Sequence, residues 1–198
     1  MNFFKRLFNS NQDKTEKETP QEQNLGSLSL EESFVHQFVS KGGKFLYCSN
    51  TEELDKQFLN IAKENNWTDF EYYKSNPLED SHIQSSLPIE SKQGSAVFIS
   101  ACEYLISNDG TILLSSNQIG EQKIINLPEN FILIARTSQI VKDKRDALHG
   151  INWGSQTVKP TNISTIKYFD LNIKSDDILK NYGNSNSKNL YLLLLEDL

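Results

Sequence analysis

The residues with the most chemical capacity lie between Ser100 and Lys123. Glu103 follows the apolar run Ala96-Val97-Phe98-Ile99 closely. A carboxylate leaving a buried strand is held rigidly, so it can meet a ligand, or it can cap a nearby turn. Ser115, Ser116 and Asn117 come after the apolar stretch Thr111 to Leu114, where their donors can hold an anion or simply close the loop. Lys123 is the nearest cation for a phosphate or carboxylate. Asn108-Asp109-Gly110 before Thr111 is the chemistry of a tight turn: Asn and Asp side chains bond their own backbone, and glycine accepts positive φ. The ligand-binding candidates are therefore Glu103, Asn108, Gly110, Thr111, Ser115, Ser116 and Lys123. No residue is assigned a catalytic role.

Complete motifs are missing. There is no Gly-rich loop followed by Lys-Ser or Lys-Thr, no dinucleotide glycine fingerprint after a strand, and no histidine pair at helical spacing. Gly42-Gly43 precedes its strand, which is the wrong context for a phosphate loop. His36, His82 and His149 are scattered, and none is assigned to a metal. The two cysteines, Cys48 and Cys102, fall at strand ends far apart in sequence, as small buried hydrophobes do. An iron–sulfur cluster or zinc site needs more of them at closer spacing. Twenty Lys and Arg against 26 Asp and Glu give a formal charge of -6 without a basic patch, which argues against nucleic acid as a partner.

The elements that must position these groups are readable from periodicity. A 37% hydrophobic and 23% charged composition is that of a globular protein with a real core. Residues 9 to 23 are nearly all polar, so residues 1–28 are expected to form a disordered tail ahead of one α/β domain over 29–198. The start Phe3-Phe4-Lys5-Arg6-Leu7-Phe8 is too short for a signal peptide, and no run is long enough to span a bilayer. A cytoplasmic protein is expected.

Ser29 and Glu32 form a capping-box pair before Phe34, Val35, Phe38 and Val39, and Gly42-Gly43 ends that helix. Asn50 and Glu53 repeat the pattern before Leu54, Phe58, Ile61 and Ala62. Phe45 to Cys48, Phe70 to Tyr73, Ala96 to Ile99, Tyr104 to Ile106, Thr111 to Leu114, Phe131 to Ala135 and Leu190 to Leu195 read as strands, with a hairpin at Asp109-Gly110. A long connection is expected from Ser75 to Gln93, short helices over Glu121 to Asn126 and Ile140 to Leu148, and a mobile loop from Gly150 to Asn162. Apolar strands alternating with amphipathic helices predict a mostly parallel sheet covered by helices on both faces, with a β-hairpin excursion. Ligands of such sheets bind outside the carboxyl ends of the strands.

The chain resembles the LUD domain, the lactate-utilisation protein C family. The matching residues are Glu103-Tyr104, Gly110-Thr111, Ser115-Ser116, Lys123, Leu127-Pro128, Phe131 to Ala135, Ser138 to Val141 and Leu190 to Asp197. The resemblance implies a Rossmann-like fold of the ribose-phosphate isomerase and CoA-transferase kind, and an accessory role in oxidising lactate beside iron–sulfur partner subunits that carry the clusters. The alternative is a small-molecule site at the strand ends for a phosphorylated metabolite or CoA-type ligand. This chain departs from the family pattern at Asn108, where a Glu is common, and at Lys123, where an Arg is common. Losing a carboxylate and a guanidinium removes proton-transfer and bidentate anion-binding capacity, which points away from catalysis.

Overall fold

The computed structural model describes residues 28–74, 77–78, 89–90, 94–154, 159–169 and 186–197. The expected tail, apart from Leu28, and most of the expected connection from Ser75 to Gln93 lie outside them. Along the described chain the elements are α1 (Leu30–Ser40), β1 (Lys44–Cys48), α2 (Thr51–Glu64), β2 (Phe70–Glu71), β3 (Ile89–Glu90), β4 (Val97–Ala101), β5 (Tyr104–Ile106), β6 (Thr111–Leu114) and α3 (Ser116–Ile119). They continue with β7 (Asn130–Arg136), β8 (Ile140–Val141), α4 (Lys144–Trp153), β9 (Ser164–Ile166) and β10 (Asn189–Leu195).

The capping box at Ser29 forms in full; at Asn50 the cap forms, while the Glu53 carboxylate accepts the Ser49 N–H instead. Ser29 accepts from the Glu32 N–H while Glu32 returns to the Ser29 N–H, and Asn50 accepts from Glu53 at 2.8 Å. Each cap satisfies backbone donors that a helix start leaves open.

Six strands form a sheet in the order β1-β10-β7-β4-β2-β3, with every pairing parallel. Side-chain alternation divides each strand between two cores. Cys48, Val97, Ile99, Ile132, Ile134, Leu193 and Leu195 face α2, where Leu54, Phe58, Ile61 and Ala62 cover them. Tyr47, Phe98, Phe131, Leu133, Ala135, Leu190, Leu192 and Leu194 face the other way, onto Phe34 and Phe38 of α1 and onto a second sheet. Full burial of one such side chain is worth roughly 1.5–3 kcal/mol, so the two-sided strands dominate stability.

The second sheet has the order β8-β5-β6-β9 and grows from the expected hairpin, β5 antiparallel to β6. Its turn spans Ser107 to Gly110, with φ 62° at Gly110. A β-carbon there would lie 2.6 Å from the Phe38 backbone nitrogen, so the turn needs glycine for both its conformation and its seat on α1. The sheet's outer face, Ile106 and Leu113, is closed by Ala147 and Ile151 of α4.

Several expected elements move. Ile140 and Val141 are a strand beside β5 rather than the start of a helix. That helix begins at Lys144, because the Asp143 carboxylate accepts the N–H groups of Arg145 and Asp146 at 2.9 and 3.0 Å. It runs through Gly150, part of the expected loop, because Tyr104 packs against that glycine where any β-carbon would sit. The helix expected at Glu121 to Asn126 is a 3₁₀ turn over Ile124–Asn126, preceded by α3. The polar stretch at Ser164 pairs with β6 as β9, which the sequence pattern does not announce.

Candidate functional site

The hairpin separates the residues that the sequence groups together. At its open end, Glu103 follows β4 and extends the ladder by donating its N–H to the Leu113 carbonyl at 2.9 Å. Its Oε1 accepts the Ser115 hydroxyl at 2.6 Å and the Asn117 amide at 2.8 Å. Ser115 is fully buried and caps α3, its Oγ also accepting the Asn117 N–H at 3.1 Å. It orients Glu103 and has no surface to offer a ligand. Ser116 is tied to the chain before β9, its Oγ accepting the Thr161 N–H at 2.9 Å.

At the turn end, beyond the three pairs of the ladder, Asn108 donates its N–H to the Lys142 carbonyl, and Gly110 packs on α1. Thr111 is buried and its N–H donates to the Asp109 carboxylate at 3.2 Å. Asp109 also pairs with Lys167 at 3.1 Å. Burial alone would raise the Asp109 carboxyl, but bonding to Thr111 and Lys167 and the charges of Lys167 and Lys41 hold it below its ordinary value. Lys123 is exposed at the start of the 3₁₀ turn, and no hydrogen bond among the described residues joins it to Glu103 or Ser115. The structure thus unites Glu103, Ser115 and Asn117, and leaves Asn108, Gly110, Thr111 and Lys123 elsewhere.

A cavity of about 260 Å³ opens at the carboxyl ends of β4, β7 and β10, on the α2 face. Alternation explains its wall: Ala101 continues the Val97, Ile99 row, Arg136 continues Ile132, Ile134, and Leu195 continues Leu193. Thr51, Leu54 and Asp55 line it from the first turns of α2, Pro77 and Leu78 from the segment after β2, and Gln139 from the turn after β7. Arg136, itself exposed, brings the one cationic side chain to the lining, and the first turn of α2 brings the carboxylate of Asp55.

Gln139 joins this cavity to the Glu103 cluster. Its amide nitrogen donates to the Cys102 and Glu103 carbonyls at 2.6 and 3.2 Å, and its oxygen accepts the Arg136 N–H at 2.7 Å. Asp197, just past β10, braces the same turn by accepting the Thr137 hydroxyl at 2.7 Å and the Ser138 N–H and hydroxyl at 2.9 and 2.6 Å.

The family model for the LUD domain matches residues 89–195. The chain belongs to the LUD domain family. A solved structure of a DUF162 family protein from Deinococcus radiodurans is similar over 88% of this chain and 99% of that one, at 12% identity and a TM-score of 0.61, which supports the fold. No curated protein matches. Within this LUD domain the matched span supplies Ala101, Ile134, Arg136, Gln139 and Leu195 of the cavity, while α2 and the segment after β2 close the opposite wall from outside it.

The domain's two thiols are buried on opposite faces of the sheet. Burial, with Glu53 nearby, pushes Cys48 up to about 12, and burial with Glu103 nearby raises Cys102 further, so both stay protonated. Among the described residues no helix is long and apolar enough to cross a membrane.

The candidate site residues read from the sequence leave out Arg136, and Gln139 enters only within the family match over Ser138 to Val141. A signal existed: Arg136 directly follows the apolar run Phe131 to Ala135, at the strand end where ligands of parallel sheets bind.

Proposed function

We propose that this LUD domain binds a small organic-acid anion in the cavity at the strand ends, as an accessory subunit of the lactate-utilisation kind. The carrying observation is Arg136 at the exit of the central strand β7, facing a cavity that is otherwise mostly apolar. A guanidinium recognises a carboxylate through two parallel N–H donors. Glu103, fixed by Ser115 and Asn117, stands at the neighbouring strand exit and shares Gln139 with the cavity.

Electron transfer in this reading belongs to iron–sulfur partner subunits, because two buried, protonated thiols in separate cores are poor cluster ligands. The test is thermal stability against a panel of lactate, pyruvate, sugar phosphates, CoA esters and nucleotides. A ligand at about a hundred times its dissociation constant adds roughly 2.7 kcal/mol. A rise confined to short carboxylates and lost in Arg136→Gln is the expected result. The variant should bind at least about tenfold more weakly, since a hydrogen bond to a charged group is worth about 1.5–3 kcal/mol. A flat panel, or a rise unchanged in Arg136→Gln, would refute the cavity as the site.

A further inference from the structure

The size and lining of the cavity carry a statement about what fills it. We infer that the anion carries a branched or aromatic side chain, larger than the methyl group of a three-carbon acid; this rests on the cavity being the ligand site proposed above. An apolar cavity of roughly 150 Å³ already accepts a benzene ring, and one water takes a share of about 30 Å³. At about 260 Å³ the space here exceeds that of the ring alone. A three-carbon acid held at Arg136 has no more heavy atoms than a benzene ring, so it leaves water against the remaining wall.

That wall is apolar. Leu54, Pro77, Leu78, Ala101, Ile134 and Leu195 make up six of the ten lining residues. Leu54, Leu78, Ile134 and Leu195 are themselves buried, with 4%, 2%, 8% and 7% exposure, and all four belong to the α2-side core. The part of the wall built on α2, β7 and β10 is therefore packed into that core and held in place. Water against such a surface is displaced favourably by hydrocarbon, whereas the polar lining groups sit at the strand exits and the first turns of α2, where the acid group belongs. Head and tail of an amphiphilic anion each meet a matching surface.

The experiment is calorimetric titration of the full chain with lactate, 2-hydroxyisocaproate and 3-phenyllactate. Each methylene-sized group brought out of water contributes about 0.8 kcal/mol, or about fourfold in affinity. Both larger acids should bind at least tenfold more tightly than lactate. Ala101→Leu, which fills the cavity from its sheet side, should remove that advantage. If lactate binds as tightly as the larger acids, the size inference falls while the cavity remains a carboxylate site. If none of the three binds, both fall. If the larger acids keep their advantage in Ala101→Leu, they occupy another surface and the inference is again overturned.

Discussion

The two edges of the parallel sheet use polar residues in opposite ways. At the amino edge the polar groups are spent on one another. Lys44 donates to Asn189 at 2.7 Å, Asn189 to Asn130 at 2.8 Å, and Asn130 to the Ala96 carbonyl at 3.2 Å, a chain that crosses β1, β10, β7 and the start of β4. Beside it Lys188, buried to 3% exposure, donates to the Leu127 carbonyl at 2.7 Å with its ammonium 5.4 Å from the centre of the Phe131 ring. At the carboxyl edge the bonds made by Gln139 and Asp197 brace the strand exits, while Arg136 and a cavity face outward. One edge is closed by polar bonds between strands; the other leaves a cavity open. Substitutions at the first should change stability and spare binding, and substitutions at the second should do the reverse.

The strongest test of that division is Lys188. Burial lowers its ammonium from the ordinary 10.5 to about 8, against a smaller raising effect from Glu129. A lysine whose folded pKa is depressed binds its proton less readily in the native than in the unfolded chain, so its contribution to stability rises with pH between about 8 and 10.5. Cys48, Cys102 and Tyr47 have raised values and work in the opposite direction above pH 9. The difference between wild type and Lys188→Met isolates the lysine. Urea unfolding from pH 7 to 10 should show the wild type gaining on the variant by on the order of 2 kcal/mol. Ligand affinity at pH 7 should be the same in both, and a loss of binding in Lys188→Met would blur the two edges.

A smaller effect is expected from Asn130→Ala, which interrupts the amino-edge chain at its middle. The bonds are partly exposed, so the side chains left behind can turn to water. The loss should be about 1 kcal/mol in urea unfolding, with no change in the response to ligand. A variant of full stability would mean that the parallel ladder alone holds the register.

The division also explains what the sequence makes legible. Phe45 to Cys48, Val97 to Ile99, Phe131 to Ala135 and Leu190 to Leu195 stand out because strands buried on both faces are continuous apolar runs. The β9 strand does not stand out: only Ile166 is buried, and Ser164 and Thr165 pair with β6 at half-buried positions. Glu103 is legible as a rigid carboxylate, and its partners Ser115 and Asn117 lie within one hairpin of it. The cavity is not, because its two walls come from chain segments far apart in sequence. Which face Arg136 takes is settled by the packing of α2, which periodicity along β7 alone does not specify. Asn108, Gly110 and Thr111 read as neighbours of Glu103 because the hairpin is short in sequence, yet antiparallel pairing sends them to its other end.

The smallest expected change in stability, and the one that sharpens the comparison most, belongs to Asp197→Asn at the carboxyl edge. Burial would raise the Asp197 carboxyl, but the side-chain and backbone donors of Ser138, the Thr137 hydroxyl and the charge of Arg136 hold it below its ordinary value of 3.8. A depressed carboxylate supports the fold above its unfolded pKa, and that support is lost as pH falls through the folded one. Wild type should therefore lose stability relative to Asp197→Asn as pH drops below about 4, while near neutrality the variant should be only slightly weaker, since the amide retains one acceptor for the Ser138 and Thr137 donors. Binding should move the other way. The carboxylate at 197 draws on the same guanidinium that meets the ligand in the proposed function, and it would repel an incoming anion. Removing its charge should tighten carboxylate binding severalfold at pH 7, an effect that salt diminishes. If stability and affinity instead fall together, Asp197 serves mainly to place Arg136, and the carboxyl edge is held by its polar bonds as firmly as the amino edge.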